Sequence, residues 1–228
     1  MRLLFVRHGH PDYTKDCLTE LGHRQAEAAA DRLASEPFVR CFSSTLGRAV
    51  ETAEHIAARH DLPVEQLDFM RELGWGTIEG EPLPERGHPW FLADRMVREG
   101  EDITSLDWAE KEPMCRNSAT VRARIAAEGI DALLEELGYR REGSYYRVLR
   151  ENDDTVLIVS HGGSSSAVLA HLLGLAFPYV CATIHPDFTS VSTIRFVGKP
   201  GELIVPWLDL LNDARHIEGI DADAVIGQ

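Results

Sequence analysis

The chain of 228 residues carries 37 acidic side chains against 23 lysines and arginines, for a formal net charge of −14. Apolar residues make up 44% and charged residues 26%, which excludes disordered, collagenous and coiled-coil classes; the length allows one large domain or two small ones, and with no linker-like stretch a single domain over residues 1–228 is expected. The acidic balance argues against nucleic acid or an anionic membrane as a partner, yet leaves room for a small anionic ligand held by local arginines.

Residues 3–6, Leu-Leu-Phe-Val, form a continuous apolar run that reads as a buried strand ending at Arg7-His8-Gly9-His10. Thr19 is placed to cap a helix running to about Ala34, with Leu21, Ala26, Ala29 and Leu33 on one face. Residues 39–43 read as a second strand. Ser43, Ser44 and Thr45 offer caps for a helix over about 46–59, Pro63 breaks it, and residues 64–69 give a weaker strand. From Gly74 to Asn117 the pattern is irregular and holds Trp75, Trp90, Trp108 and Pro82, Pro84, Pro89 and Pro113, with a helix over about 90–98. A longer helix is predicted over 118–137, with Val121, Ile125, Leu133 and Leu137 at near-helical spacing and Gly138 at its end. Residues 139–150 read as a hairpin turning at Gly143. Residues 155–159, Thr-Val-Leu-Ile-Val, are the clearest strand and lead through Ser160-His161-Gly162-Gly163 into a helix ending near Leu173. Residues 191–196 and 203–208 close the chain as two strands, and the tail over 218–228 is acidic. Strands alternating with helices predict an α/β sheet covered on both faces.

A chain this long buries roughly 70–75% of its unfolded surface and needs no disulfide or metal staple. Cys17, Cys41, Cys115 and Cys181 are far apart with no C-x-x-C, which excludes zinc-ribbon and thioredoxin-type motifs. The opening apolar run is too short for a signal peptide, and the longest apolar stretch, 167–177, contains His171 and falls short of a membrane span. A reduced, soluble, cytoplasmic protein is the expectation.

Two predicted strands end in a histidine-glycine pair, His8-Gly9 and His161-Gly162. Ligands of open α/β sheets bind at the carboxyl ends of strands, so both histidines fall where a site belongs. Arg48 sits in the first turn of a predicted helix, where the helix dipole disfavours a cation. Either it leans into solvent, or it and the free N–H groups of that turn bind one anion together. With Arg7 it supplies two guanidiniums, the group suited to bidentate phosphate binding. Glu72 follows the third strand in a glycine-punctuated stretch and alone reads as a surface acid.

The ordered set Arg7-His8-Gly9, Leu18-Thr19-Glu20-Leu21-Gly22 with Gln25-Ala26, residues 43–53, Arg71-Glu72 with Gly76 and Glu79-Gly80, and Val159-Ser160-His161-Gly162-Gly163 resembles the histidine phosphatase superfamily, also called phosphoglycerate mutase-like. Leu211-Asn212-Asp213 with His216 is similar to the family's C-terminal strand and its exit. The resemblance implies a three-layer α/β/α sandwich with a mostly parallel sheet. The insertions over about 74–117 and 139–150 are expected to form a lid over the site, on the ground of the tryptophans clustered in the irregular segment beside Glu72. The resemblance also implies a histidine acid phosphatase-type phosphomonoesterase without metal or other cofactor, acting on a small phosphorylated substrate. His8 would be the nucleophile through Nε2, which must be neutral, and Arg7, Arg48 and a second histidine would hold its pKa down. Its other ring nitrogen would donate to a backbone carbonyl. Arg7, Arg48, His161 and the Gly162 N–H would surround the phosphoryl oxygens, and Glu72 would protonate the leaving alcohol and then activate water.

The chain departs from the family at His10 and Thr14, where members carry Glu or Gln and Asn, and its loop from His8 to Leu18 is short. Tyr13 or Thr14 would stand in for the Asn, or pack without contacting substrate. Trp75, Trp90 and Trp108 would contact the leaving group or fill a small satellite core. No counterpart of the mutases' long basic segment is found over 80–117, which favours a phosphatase over a cofactor-dependent mutase. Two further readings compete. His8-Gly9-His10 can ligate a metal, but the barrels that use such a pair typically need about 250 residues. A catalytically silent phosphate-binding module would require the loss of a catalytic residue, and none is lost. Residues 183–187, in the loop before the penultimate strand, could approach the pocket but are not assigned to the site, and the oligomeric state is left open.

Overall fold

In the computed structural model, which describes residues 1–77 and 87–220, the apolar run after Met1 becomes the centre of the molecule. Strand β1 (Arg2–Arg7) buries Leu3, Leu4, Phe5 and Val6 because both faces of its sheet are covered. The chain continues through the short pair β2 (Pro11–Asp12) and β3 (Cys17–Leu18), then α1 (Glu20–Leu33), β4 (Phe38–Ser44), α2 (Gly47–Ala57) and β5 (Val64–Leu67). Next come α3 (Pro89–Glu99), α4 (Ser118–Glu136), β6 (Tyr139–Glu142), β7 (Tyr145–Val148), β8 (Thr155–Ser160) and α5 (Gly162–Leu173). The chain closes with α6 (Phe177–Thr183), β9 (Val191–Arg195), β10 (Leu203–Ile204) and β11 (Trp207–Asp213).

The main sheet has six strands in the order β11-β9-β1-β8-β4-β5. Strands β1, β8, β4 and β5 are parallel; β9 runs against its neighbours β1 and β11. Alternation along β1 and β8 separates two cores. Leu4, Val6, Leu157 and Val159 meet Ala29, Ala30 and Leu33 of α1 and Ala49, Ala53 and Ile56 of α2. Leu3, Phe5, Val156 and Ile158 meet Ala126, Ile130, Leu133 and Leu134 of α4 and Val168, Leu169 and Leu172 of α5. The fold is therefore the expected three-layer α/β/α sandwich. Among the described residues no helix is long and apolar enough to cross a membrane.

Several local expectations are corrected. Helix α4 does not bury Val121 and Ile125, which are 40% and 36% exposed. Its packed face runs through Ala119, Ala123, Ala126, Ile130, Leu133 and Leu134. Small alanines let α4 lie against α5, so the large apolar residues do not mark the buried stripe. The stretch 203–208 is not one strand: Pro206, which has no N–H to give a ladder, lies between β10, paired with β7, and β11, paired with β9. Helix α6 was not predicted; Pro178 sits in its first turn, where a missing N–H costs nothing.

The hairpin β6-β7 is also not over the strand ends that carry the histidines. Tyr139 and Tyr146 pack on Phe196, whose amide donates to Met1 O at 2.9 Å, at the opposite, amino end of β1. Burial of two tyrosines against Met1 and α4 accounts for that position. Of the other expected lid segment, residues 78–86 lie outside the described residues, as do 221–228 of the tail. Trp90 and Trp108 pack against a satellite cluster containing Leu73, Ala119, Phe177 and Val180, the packing role foreseen as one alternative.

Replacing Ile130 by alanine should cost about 2–5 kcal/mol in urea unfolding, the usual range for a fully buried aliphatic. Val121→Ala should stay within about 0.5 kcal/mol of the parent. The reverse ranking would place the wrong face of α4 in the core.

Candidate active site

Parallel pairing of β1 with β8 sets Arg7 opposite Ser160, so the residues that follow, His8 and His161, emerge side by side. Their ring centroids lie 5.0 Å apart, edge to face, and the two side chains are 1% and 0% exposed. His8 Nδ1 is 2.7 Å from the Gly9 carbonyl oxygen. A carbonyl only accepts, so Nδ1 carries the proton and Nε2 keeps its lone pair. Arg48 Nε points at that lone pair from 3.3 Å. Burial, followed by the charge of Arg7, holds the His8 imidazole well below its usual pKa. Burial and the neighbouring His8 do the same to His161. Two imidazoles thus share the centre of the site without charge.

Arg48 occupies the first turn of α2, as expected, and the anion it shares with that turn is supplied by the chain. The Asp16 carboxylate pairs with Arg48 Nη1 and accepts from the Gly47 amide at 2.8 Å. None of the expected serines and threonine takes the cap position: Leu46 is there and makes no side-chain bond, while its amide donates to Ser44 Oγ at 3.3 Å. Asp16 caps the helix from a distant loop, with its own backbone at φ 52°, a conformation Asp tolerates better than most residues. Its carbonyl crowds Gly47 so closely that any side chain there would collide with it. Ser44, at the carboxyl end of β4, meets His161 Nε2 at 2.7 Å.

Arg7 Nη1 donates to the Pro186 carbonyl, and its guanidinium lies 4.1 Å from the Phe188 ring centroid. Its Nε and the Nδ1 of His161 are buried polar atoms with no hydrogen-bond partner in the chain. Unpaired buried polar atoms are costly, and an oxyanion beside His8 is the type of group that would satisfy them. Gly162 opens α5 against Arg7, whose Nε would lie 3.8 Å from a side-chain carbon placed there.

Glu72 reaches the same place from the far side. Its Oε1 accepts from the amides of Leu73 at 2.8 Å and Ser164 at 3.2 Å, and its Oε2 from Gly163 at 3.3 Å. A side chain on Gly163 would run into this carboxylate. Burial raises the Glu72 pKa and outweighs the amide bonds and the pull of Arg7 and Arg48. A carboxyl group able to hold a proton therefore stands across from two uncharged imidazoles.

The remaining candidates lie at the rim. Tyr13 is 63% exposed and stacks 5.2 Å from the Arg48 guanidinium. The Thr14 hydroxyl and amide are both spent on Asp12 in an exposed turn, at 2.6 and 3.0 Å, and the side chain is not brought to His8. Trp75 is half-exposed and meets His88 edge-on, with centroids 4.3 Å apart. The His8 Nε2 that a metal ion would need faces the Arg48 guanidinium, with Arg48 Nε 3.3 Å away, while the Nδ1 of His10 meets Thr19 Oγ1 at 2.9 Å. Among the described residues no group of three or more His, Cys, Asp or Glu is arranged to hold a metal ion.

Residues 3–206 match the model of the histidine phosphatase superfamily (branch 1), and the chain belongs to that family. It is 28% identical over 228 residues to glucosyl-3-phosphoglycerate phosphatase of Mycobacterium tuberculosis, covering 95% of this chain and 96% of that one. It is also 28% identical to a Yersinia enterocolitica protein named probable phosphoglycerate mutase GpmB, covering 96% and 95%. The chain spans only 38% of a wheat 2-carboxy-D-arabinitol-1-phosphatase to which it is 25% identical. Among solved structures it is similar to mycobacterial glucosyl-3-phosphoglycerate phosphatase in complex with VO3, with a TM-score of 0.62, 25% identity, and 92% and 98% of the two chains covered. The relatives thus bear phosphatase and mutase names.

Sequence reasoning missed Asp16, Ser44 as a histidine partner, and Phe188; the loop at 183–187, which carries Pro186, reads in sequence as able to approach the pocket but is not assigned to it. In sequence Ser44 reads as a cap, and Asp16 carries no local signal of its distant partner. The loop is brought to Arg7 by the pairing of β9 with β1, which joins residues far apart in the chain.

His8, His161 and His216 all have lowered pKa values, His216 to about 4 through burial and the adjacent Arg32. The unfolded chain takes up protons near the ordinary imidazole value of about 6.5, while the native state resists them. Stability should therefore be complete above about pH 6.5 and fall as pH drops from there toward 4. Urea unfolding at stepped pH would show this; constant stability between pH 7 and 5 would mean that these rings accept protons in the folded state.

Proposed function

We propose that the protein is a metal-independent phosphomonoester hydrolase that works through a phosphohistidine at His8. The observation that supports this best is the uncharged, carbonyl-fixed His8 ring with its Nε2 lone pair directed at a guanidinium. In the first step Nε2 attacks phosphorus, the P–O bond to the alcohol breaks, and Glu72 gives its proton to the departing oxygen. In the second, Glu72 takes a proton from water, which attacks the phosphohistidine and returns free His8 with inorganic phosphate.

Arg7, Arg48, His161 and the Gly162 amide bind the equatorial phosphoryl oxygens, where charge spreads in the transition state. The guanidiniums supply the positive charge that a metal ion supplies elsewhere. Tyr13 and Trp75, as exposed aromatic side chains, contact the leaving group. The substrate is a small phosphorylated metabolite in the cytoplasm, a reading supported by the relatives' names and by the VO3 complex of one of them. A phosphoglycerate mutase is the second reading, favoured by the name of the Yersinia relative.

Phosphate release should be measured from a panel of phosphomonoesters in EDTA, including 3-phosphoglycerate with and without 2,3-bisphosphoglycerate. Release that survives the chelator and disappears in His8→Ala is the expected result. Isomerisation of phosphoglycerate without release would make the protein a mutase, and silence on every ester would make it a phosphate-binding module.

Glu72→Gln should slow hydrolysis of alkyl phosphates by about 10²- to 10⁴-fold, the usual worth of a general acid. Transfer from p-nitrophenyl phosphate to His8, whose leaving group needs no proton, should be slowed far less. Equal losses on both esters would remove Glu72 from the acid role.

A further inference from the structure

The ladder between β9 and β11 changes register between Leu208 and Leu210 and again between Leu210 and Asp213. Asn212 lies in the second irregularity with φ 49°, a left-handed conformation in which Asn is enriched. Such bulges recur beside active sites, where they re-aim a side chain. Here the re-aimed amide is fully used. Its Nδ2 donates to His185 O at 3.0 Å and to Asp187 Oδ2 at 3.2 Å, and its Oδ1 accepts from the Asp187 amide at 2.8 Å. The Asn212 backbone amide is itself held by Ser192 Oγ at 3.0 Å.

The segment that Asn212 grips is the one that holds Arg7. Pro186, between the two gripped residues, gives its carbonyl to Arg7 Nη1. Phe188, next along, lies under the same guanidinium and 5.8 Å from the His8 ring centroid. With Nη1 engaged and one face of its plane covered, the Arg7 guanidinium has little rotational freedom, and its buried Nε is left without a partner. We infer that Asn212 is a positioning residue. It locks the 185–188 loop so that Pro186 and Phe188 set the Arg7 guanidinium, Nε free, at the phosphoryl site beside His8. This rests on the phosphoryl-site reading above.

The test is Asn212→Gly, which keeps the left-handed backbone and removes only the amide, with Asn212→Asp as a second variant that retains Oδ1 and loses both donors. Binding of inorganic phosphate in EDTA is measured by calorimetry, and kcat and KM with p-nitrophenyl phosphate. Each variant should bind phosphate and turn over about 10- to 100-fold less well, the scale of an ångström-sized misplacement, while melting as one cooperative unit. In an Arg7→Met background the same change should cost less than twofold, because the group it positions is gone.

Unchanged phosphate affinity in folded Asn212→Gly would overturn the inference, and so would an equal loss with Arg7 absent, which a merely structural role would give. A parent protein that binds phosphate but cleaves no ester would sink the hydrolase reading alone and leave this inference to the binding data. A parent that binds no phosphate would sink both.

Discussion

An imidazole buried beside two guanidiniums stays uncharged, and the rest of the site depends on that constraint. His8 is enclosed by Arg7, Arg48 and His161, and burial alone already opposes its protonation. The Gly9 carbonyl then decides which nitrogen bears the remaining proton. Without that contact the ring could turn its N–H toward Arg48, donor against donor. The same desolvation that keeps His8 neutral raises Glu72, so one dry environment favours an uncharged imidazole and a protonated carboxyl together.

The sheet makes this possible by topology. Strand β8 inserts between β1 and β4 although it comes from much later in the chain. The carboxyl ends of these three strands therefore converge and deliver His8, Ser44 and His161 to one point. Edge strand β11 and the antiparallel β9 bring a fourth wall, the loop before β9, against Arg7. A parallel arrangement alone would have left that side of the guanidinium open.

Much of this was legible in the sequence. The runs at 3–6 and 155–159 are apolar at every position because both sheet faces are covered, and each ends in a histidine-glycine pair that topology places at the strand terminus. Arg48 was legible through its conflict with the helix dipole, and Thr19 caps α1 as read, accepting from the Gly22 amide at 3.1 Å. What stayed hidden depends on distant partners. Asp16 looks like any loop acid until α2 arrives. The alanine face of α4 is invisible to a pattern that weighs large side chains. The 139–150 hairpin has the composition of a surface insertion, and only the pairing of Tyr139 and Tyr146 with Phe196 sends it to the far end of the sheet. Asn212 owes its role to a bulge, which no residue type announces.

In the proposed reaction, Arg48 would meet an incoming phosphate already paired, because one edge of its guanidinium is committed to the Asp16 carboxylate. On that proposal, Arg7 and the Arg48–Asp16 pair together would leave one net positive charge facing a phosphate dianion, which would cap the attraction for free phosphate without disturbing the donors' geometry. Such a site would be built to let go: a resident carboxylate would trade affinity for the released anion against a permanently aligned guanidinium.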